Sequence, residues 1–193
     1  MSFDDDVRLL KLFAMPKPVR ITARASSITN SFVNGVIPVI APTASEIRDA
    51  LEVLGMVAEV SCSYCGGTST EWDHLRPLVV NQRPTGFISE IQNLVPACGK
   101  CNQSKGNKPW KAWMLSAAPL SPKTRGIADL AQRALRLEDY ERWREPTCVD
   151  FESLVTPQLW QLHWQHHATV LGAMQEAESV AARIRAEITA AAR

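Results

Sequence analysis

The stretch that decides the fold reads Cys62-Ser63-Tyr64-Cys65-Gly66-Gly67, then Glu71-Trp72-Asp73-His74, then Asn93-Leu94-Val95-Pro96-Ala97-Cys98-Gly99-Lys100-Cys101-Asn102. Two C-x-x-C pairs, Cys62/Cys65 and Cys98/Cys101, bracket residues 66–97. Each pair lets two thiolates reach one metal ion, and two such pairs complete the closed tetrahedral shell of a structural zinc. Four sulfurs leave no coordination position for a reactant, so any chemistry must lie beside the zinc. Gly66 and Gly67 supply the backbone freedom that a tight thiolate turn needs. Inside and just beyond the bracket remain Asp73, His74, Asn93 and Asn102. They offer an oxygen ligand for a hard cation, a base with an ordinary pKa near neutrality, and two amides.

Outward from the bracket, Thr43-x-x-Glu46 is a capping box, followed at helical spacing by Ile47, Ala50, Leu51 and Leu54 up to Gly55. This predicts a helix over 44–54. Between the cysteine pairs the pattern predicts a β-hairpin, rising over 68–73 and returning over 87–91. A helix is expected to begin at 102–105, and Pro109 opens another that carries Trp110, Trp113 and Met114. Trp72, Trp110 and Trp113 read as core. Residues 1–15 read as a short amphipathic segment with Asp4 to Asp6 near its N-terminus, stopped by Pro16 and Pro18. Residues 19–42 read as irregular or strand-like, and 116–125 as a linker. Helices are expected over 126–144 and from 157 to the C-terminus. In the last of these, Leu159, His163, His166, Val170, Ala173, Ala177, Val180 and Ile184 recur at spacings of four and three. That heptad-like stripe suits either packing on the same chain or a dimer seam. His163, His166 and His167 lack a completing carboxylate or cysteine and read as interface or surface residues.

Asp73-His74 at a strand end, Asn93 on the return, and Cys98-x-x-Cys101-Asn102-x-x-Lys105 resemble the HNH endonuclease family in its four-cysteine, zinc-stapled form. The resemblance covers about residues 58–110, and it includes Pro77 after Arg76 and Asn93-Leu94-Val95-Pro96 before the second cysteine pair. It implies an α+β fold, a small ββα-metal core with a structural zinc, flanked by an N-terminal extension and C-terminal helices. It further implies that His74 is the general base, taking a proton from the water that attacks the scissile phosphorus. Asp73 and Asn102 would hold a catalytic Mg²⁺ or Mn²⁺, and Asn93 would orient His74 through a hydrogen bond. Arg76, Lys105 and Lys108 would contact phosphate. With Asp73 the one carboxylate at the site, a single-metal mechanism is implied, giving 5′-phosphate and 3′-hydroxyl ends. Asn102 stands where the family name has histidine, which keeps an oxygen ligand and favours harder cations. The segments 71–77 and 93–108 resemble bacterial members associated with restriction, phage or mobile-element nucleases.

The 193 residues, 46% hydrophobic and 21% charged, fit a soluble globular protein with one compact body and extensions. The expected division is 1–55, an N-terminal extension with the capped helix and candidate DNA contact; 56–115, the nuclease core; and 126–193, a helical region for candidate homodimerisation. No apolar run is long enough to cross a bilayer. The absence of a secretory pattern, with five cysteines that suit a metal site plus the spare thiol Cys148, points to the cytoplasm. The net charge of +1 carries less information than its distribution. Arg76, Arg83, Lys100, Lys105, Lys108 and Lys111 gather at the bracket, and Lys17, Arg20 and Arg24 lie upstream. Such clusters suit a polyanion, DNA by the family resemblance, and a solvated basic face is the plainer explanation. The rival function is a zinc-stabilised nucleic-acid-binding module without cleavage activity. Binding alone has no need of Asp73, His74, Asn93 and Asn102 together, so the full set favours catalysis.

Overall fold

In the computed structural model, residues 3–12 and 16–192 are described. The helices are α1 (Phe3–Leu12), α2 (Ala25–Asn34), α3 (Ala44–Val53), α4 (Gly99–Lys105), α5 (Trp110–Met114), α6 (Leu130–Trp143) and α7 (Pro157–Ala191). The strands are β1 (Glu71–His74), β2 (Val79–Val80), β3 (Arg83–Pro84) and β4 (Leu94–Ala97). Short 3₁₀ turns occupy Ile21–Arg24 and Ile91–Asn93. The described residues fall into two compact units, Met1–Ile28 with Gln165–Arg193, and Thr29–Trp164. This mixed architecture of helices and small antiparallel sheets around four clustered cysteines matches the expected fold class.

Within Thr29–Trp164, β1 pairs antiparallel with β4, setting Glu71 opposite Ala97 and His74 opposite Leu94. The expected return over 87–91 is therefore displaced to 94–97. The cause lies in the cysteines: the strand leaving the first pair must lie beside the strand entering the second if four sulfurs are to meet. Segment 87–91 pairs elsewhere, through bridges from Ser89 to Val39 and from Phe87 to Cys148. The loop between β1 and β4 carries its own ribbon, β2 against β3, turned by Asn81 and Gln82 at φ 50 and 63. Positive φ at both central residues matches the twist of a tight hairpin.

Helix α3 begins as expected, with the Thr43 hydroxyl accepting from the Glu46 amide and the Glu46 carboxylate returning to the Thr43 amide. Its Ala50, and Leu54 just after its end, share a core with Cys62, Tyr64, Leu75, Val95, Cys101, Trp110 and Trp113. Helix α6 adds Ala134, Leu137 and Tyr140 to that core. Each fully buried leucine there contributes about 1.5–3 kcal/mol. The cysteine-stapled segment is thus enclosed by helices from both sides of it in sequence. The Tyr140 hydroxyl donates to the carbonyls of Ile91 and Leu94, at 2.8 Å from the latter, fixing the turn that precedes β4.

Several expectations are corrected. Residues 25–34 are helical: Val33 is fully buried beside Ile37, Leu78, Val79, Ile88, Phe151 and Trp164, and that burial outweighs the weak helix propensity of a Ser/Thr/Asn-rich segment. Segment 116–125 is no free linker. Ser121 is fully buried and its hydroxyl donates to the Ser116 carbonyl at 2.8 Å, while the Lys123 amide returns to Met114. Trp110 and Trp113 are core, but Trp72, facing away from Asp73 on a two-stranded sheet, is 39% exposed. His163 bonds the Phe32 carbonyl at 3.1 Å, and His167 is buried, so neither is a plain surface residue. Leu10 and Phe13 lie outside the described side chains, whereas Val7, Leu9 and Leu12 are exposed.

In the Met1–Ile28 and Gln165–Arg193 unit, the Thr22 amide donates to Glu178 at 3.3 Å. Along α7, Val180, Ile184 and Ile188 are exposed. No helix among the described residues is long and apolar enough to cross a membrane.

Candidate metal centre and active site

The four cysteines converge as their spacing requires. Their sulfur atoms all lie within 4.8 Å of one another, with Cys65 and Cys98 at 3.7 Å. A tetrahedron of zinc–sulfur bonds places its sulfurs about 3.8 Å apart, so the cluster is of the size that a zinc ion takes. The first turn closes through hydrogen bonds from the Gly66 N–H to the Cys62 carbonyl and from the Cys62 N–H to the Gly67 carbonyl. Gly66 sits at φ +74, and a side chain there would run into the Arg133 guanidinium, which itself donates to the Cys62 carbonyl at 3.2 Å. A hydrogen bond from Cys101 holds the Cys62 thiol down to about 5, and the same bond pushes Cys101 up. A cation at this centre would favour the thiolate form of all four, adding to the lowering at Cys62 and opposing the rise at Cys101. From the former linker, Arg125 Nη1 lies 3.3 Å from Cys101 Sγ and places positive charge against the cluster.

Beside this centre β1 ends, and neighbouring residues turn to opposite faces. Asp73 points inward and is 5% exposed. Its Oδ2 accepts from the Tyr64 hydroxyl at 2.6 Å and from Lys105 Nζ at 3.0 Å. Lys105, 1% exposed, also donates to the His74 carbonyl at 2.6 Å. Burial raises the Asp73 pKa despite this pairing, and burial likewise lowers that of Lys105.

His74 is half-buried, with Nε2 2.7 Å from Ser89 Oγ. Burial first, and then the Lys105 charge, lower its pKa to about 4, so the imidazole is neutral at ordinary pH. Ser89 is itself fixed by backbone bonds to Pro38 and Ile40. The segment before α3 therefore sets the partner of His74, a link for which the sequence carries no signal. Tyr64, which holds Asp73, carries no signal of that role beyond its place between the first two cysteines.

Asn93 is fully buried, and its amide accepts from the Arg76 N–H at 2.8 Å and donates to the Arg76 carbonyl at 3.2 Å. The expected bond from Asn93 to the imidazole is replaced by this clamp on the chain two residues past His74. Asn102 lies half-buried in the middle of α4, its side-chain amide bonded to no described residue. A carboxylate and an amide oxygen have the donor chemistry that Mg²⁺ or Mn²⁺ takes. The Asp73 carboxylate, however, already carries the Lys105 ammonium.

The basic residues divide. Lys105 is enclosed, its ammonium taken up by the buried Asp73 carboxylate and the His74 carbonyl rather than presented on the surface. Arg76 lies against α6, with Nη2 3.3 Å from the Glu141 carbonyl. Lys111 pairs with Glu138 at 2.6 Å, and Arg83 stacks on Trp164 at 4.1 Å. Lys108 is exposed and caps the end of α4 through the Ser104 carbonyl at 2.9 Å, and Lys100 is exposed on the same helix.

Residues 62–108 match the family model described as HNH endonuclease. The resemblance read from the motifs thus holds over that segment. A 56-residue stretch, 27% of the chain, is 39% identical to a "CRISPR-associated endonuclease Cas9" of Corynebacterium diphtheriae. A 69-residue stretch, 34% of the chain, is 38% identical to a protein of the same name from Actinomyces naeslundii. The matched stretches span 5% and 6% of those relatives. No solved structure gives a significant match. The homodimer expected from the α7 stripe gains no support from these relatives.

Proposed function

We propose that this chain is a metal-dependent endonuclease that hydrolyses DNA phosphodiester bonds. The observation that carries the reading is His74, a neutral imidazole at the end of β1, beside a four-cysteine centre and inside the HNH-matching segment. Ser89 occupies Nε2, which leaves Nδ1 to take a proton from the attacking water. Lys105 holds the His74 carbonyl and Asn93 the backbone of Arg76 just after it, so the position of the imidazole is set before substrate arrives. Asp73 and Asn102 would hold one Mg²⁺ or Mn²⁺, whose charge would stabilise the phosphate as negative charge builds on it. Lys108 is the candidate phosphate contact that remains exposed, with Lys100 beside it on α4. The zinc would staple the two strands and α4 and take no part in the chemistry. The segments 1–55 and 126–193 would flank a core at 56–115 and supply further DNA contact. The role would be in restriction, phage or mobile-element biology.

End-labelled duplex DNA, single-stranded DNA and RNA, incubated with zinc-loaded protein and Mg²⁺ or Mn²⁺, test this directly. Cleavage of DNA to ligatable 5′-phosphate and 3′-hydroxyl ends is expected, blocked by removal of the divalent ion and reduced about 10²–10⁴-fold in His74→Ala. Binding without cleavage under every metal condition would replace the nuclease with a zinc-stabilised binding module.

A further inference from the structure

The Asp73 carboxylate has a cation of its own. Lys105 Nζ lies 3.0 Å from Oδ2 and 3.3 Å from Oδ1 of Asp73, 2.6 Å from the His74 carbonyl and 3.4 Å from the Gly106 carbonyl. These are all oxygen atoms, converging on one positive centre with almost no access to solvent. That is the kind of environment a hard cation seeks. A divalent ion at Asp73 would meet both a carboxylate already neutralised and a buried like charge a few ångströms away, which is strongly unfavourable where water is excluded.

We propose that the Lys105 ammonium is a built-in competitor for the divalent cation at Asp73, so that metal binding requires Lys105 to give up the carboxylate. The inference rests on Asp73 being a cation ligand, as proposed above. Lys105 is then a positioning residue with two states. With Asp73 and the His74 carbonyl in its grasp it holds the β1 end; displaced, it releases the carboxylate to the metal. Tyr64, bonded to the same oxygen at 2.6 Å, keeps the carboxylate in place during the exchange.

The test measures Mn²⁺ affinity of the zinc-loaded full chain, by the resonance signal of free Mn²⁺, for wild type, Lys105→Met, Asp73→Asn and the double variant. Removing the competing charge is expected to tighten Mn²⁺ binding at least about tenfold in Lys105→Met. The gain is expected to vanish in the double variant. The melting temperature of Lys105→Met is expected to rise with Mn²⁺ more than that of wild type, because the ion replaces a lost partner. Equal or weaker binding in Lys105→Met, with binding still lost in Asp73→Asn, would overturn the competition and leave the metal reading intact. Binding unchanged in Asp73→Asn would remove Asp73 as a ligand and the competition with it. A second measurement needs no variant: the ¹⁵N signal of the Lys105 ammonium is expected to move or broaden as Mg²⁺ is titrated into wild type. A signal unchanged at saturation would also overturn the proposal.

Discussion

Asn93 shows how one buried amide can matter without touching the reacting groups. Its two hydrogen bonds satisfy the backbone of Arg76, which lies where β1 gives way to the long loop. Replacing it with alanine orphans a backbone donor and acceptor, and each such group costs about 1–3 kcal/mol. Asn93→Ala, which orphans both groups, is therefore expected to lower stability by about 2–6 kcal/mol in urea titration, with zinc content unchanged and cleavage rate reduced; a variant as stable and active as wild type would contradict the clamp. His74 makes a pH prediction of definite sign. Its pKa is about 4 in the fold against 6.5 ordinarily, so between those values the unfolded chain binds a proton that the folded chain refuses. Stability from the neutral imidazole is thus present above about pH 6.5 and lost as pH falls toward 4. From pH 7 to pH 5 the zinc-saturated wild type is expected to lose on the order of 1–2 kcal/mol more than His74→Gln. Equal losses would show that the imidazole titrates normally.

At the scale of elements, the legible parts were those written locally. The capping box of α3, the Pro109 start of α5 and the thiolate turns depend on neighbours in sequence, and the structure has all of them. The errors arose where distant residues decide. Nothing in Leu94 to Ala97 marks it as the partner of β1 more strongly than 87–91; the choice is made by the need to bring Cys98 and Cys101 back to Cys62 and Cys65. The Ser/Thr/Asn-rich run of α2 is helical because Val33 finds a pocket formed by residues up to 131 positions away. Likewise, Ser121 and Arg125 make the expected linker part of the cysteine cluster's surroundings. That last finding carries a prediction. Arg125→Ala, which removes the guanidinium from the Cys101 sulfur, is expected to weaken zinc retention about 10–100-fold against a chelator. Retention equal to wild type would return 116–125 to the role of mere connection.

On the scale of the whole chain, the candidate site depends on three sources besides the HNH-matching segment. Ser89 is set by residues 38–40, the turn before β4 is tied by Tyr140 of α6, and the cysteine centre is flanked by Arg125 and Arg133. A fragment cut to residues 62–108 would lack Pro38, Ile40, Tyr140 and both arginines, although that segment alone carries the family match. The sequence disclosed the four clustered cysteines but not these supports, because each acts through a backbone group or a sulfur, which leaves no residue pattern. The central claim remains that His74 makes the zinc-stapled unit a phosphodiesterase. The measurement that tests it most directly is cleavage of supercoiled plasmid by the zinc-loaded full chain with Mg²⁺ or Mn²⁺, wild type against His74→Ala, with EDTA as control. Metal-dependent nicking or linearisation by the wild type, absent from His74→Ala, is the predicted result; cutting at equal rates by both proteins, or by neither, would contradict it.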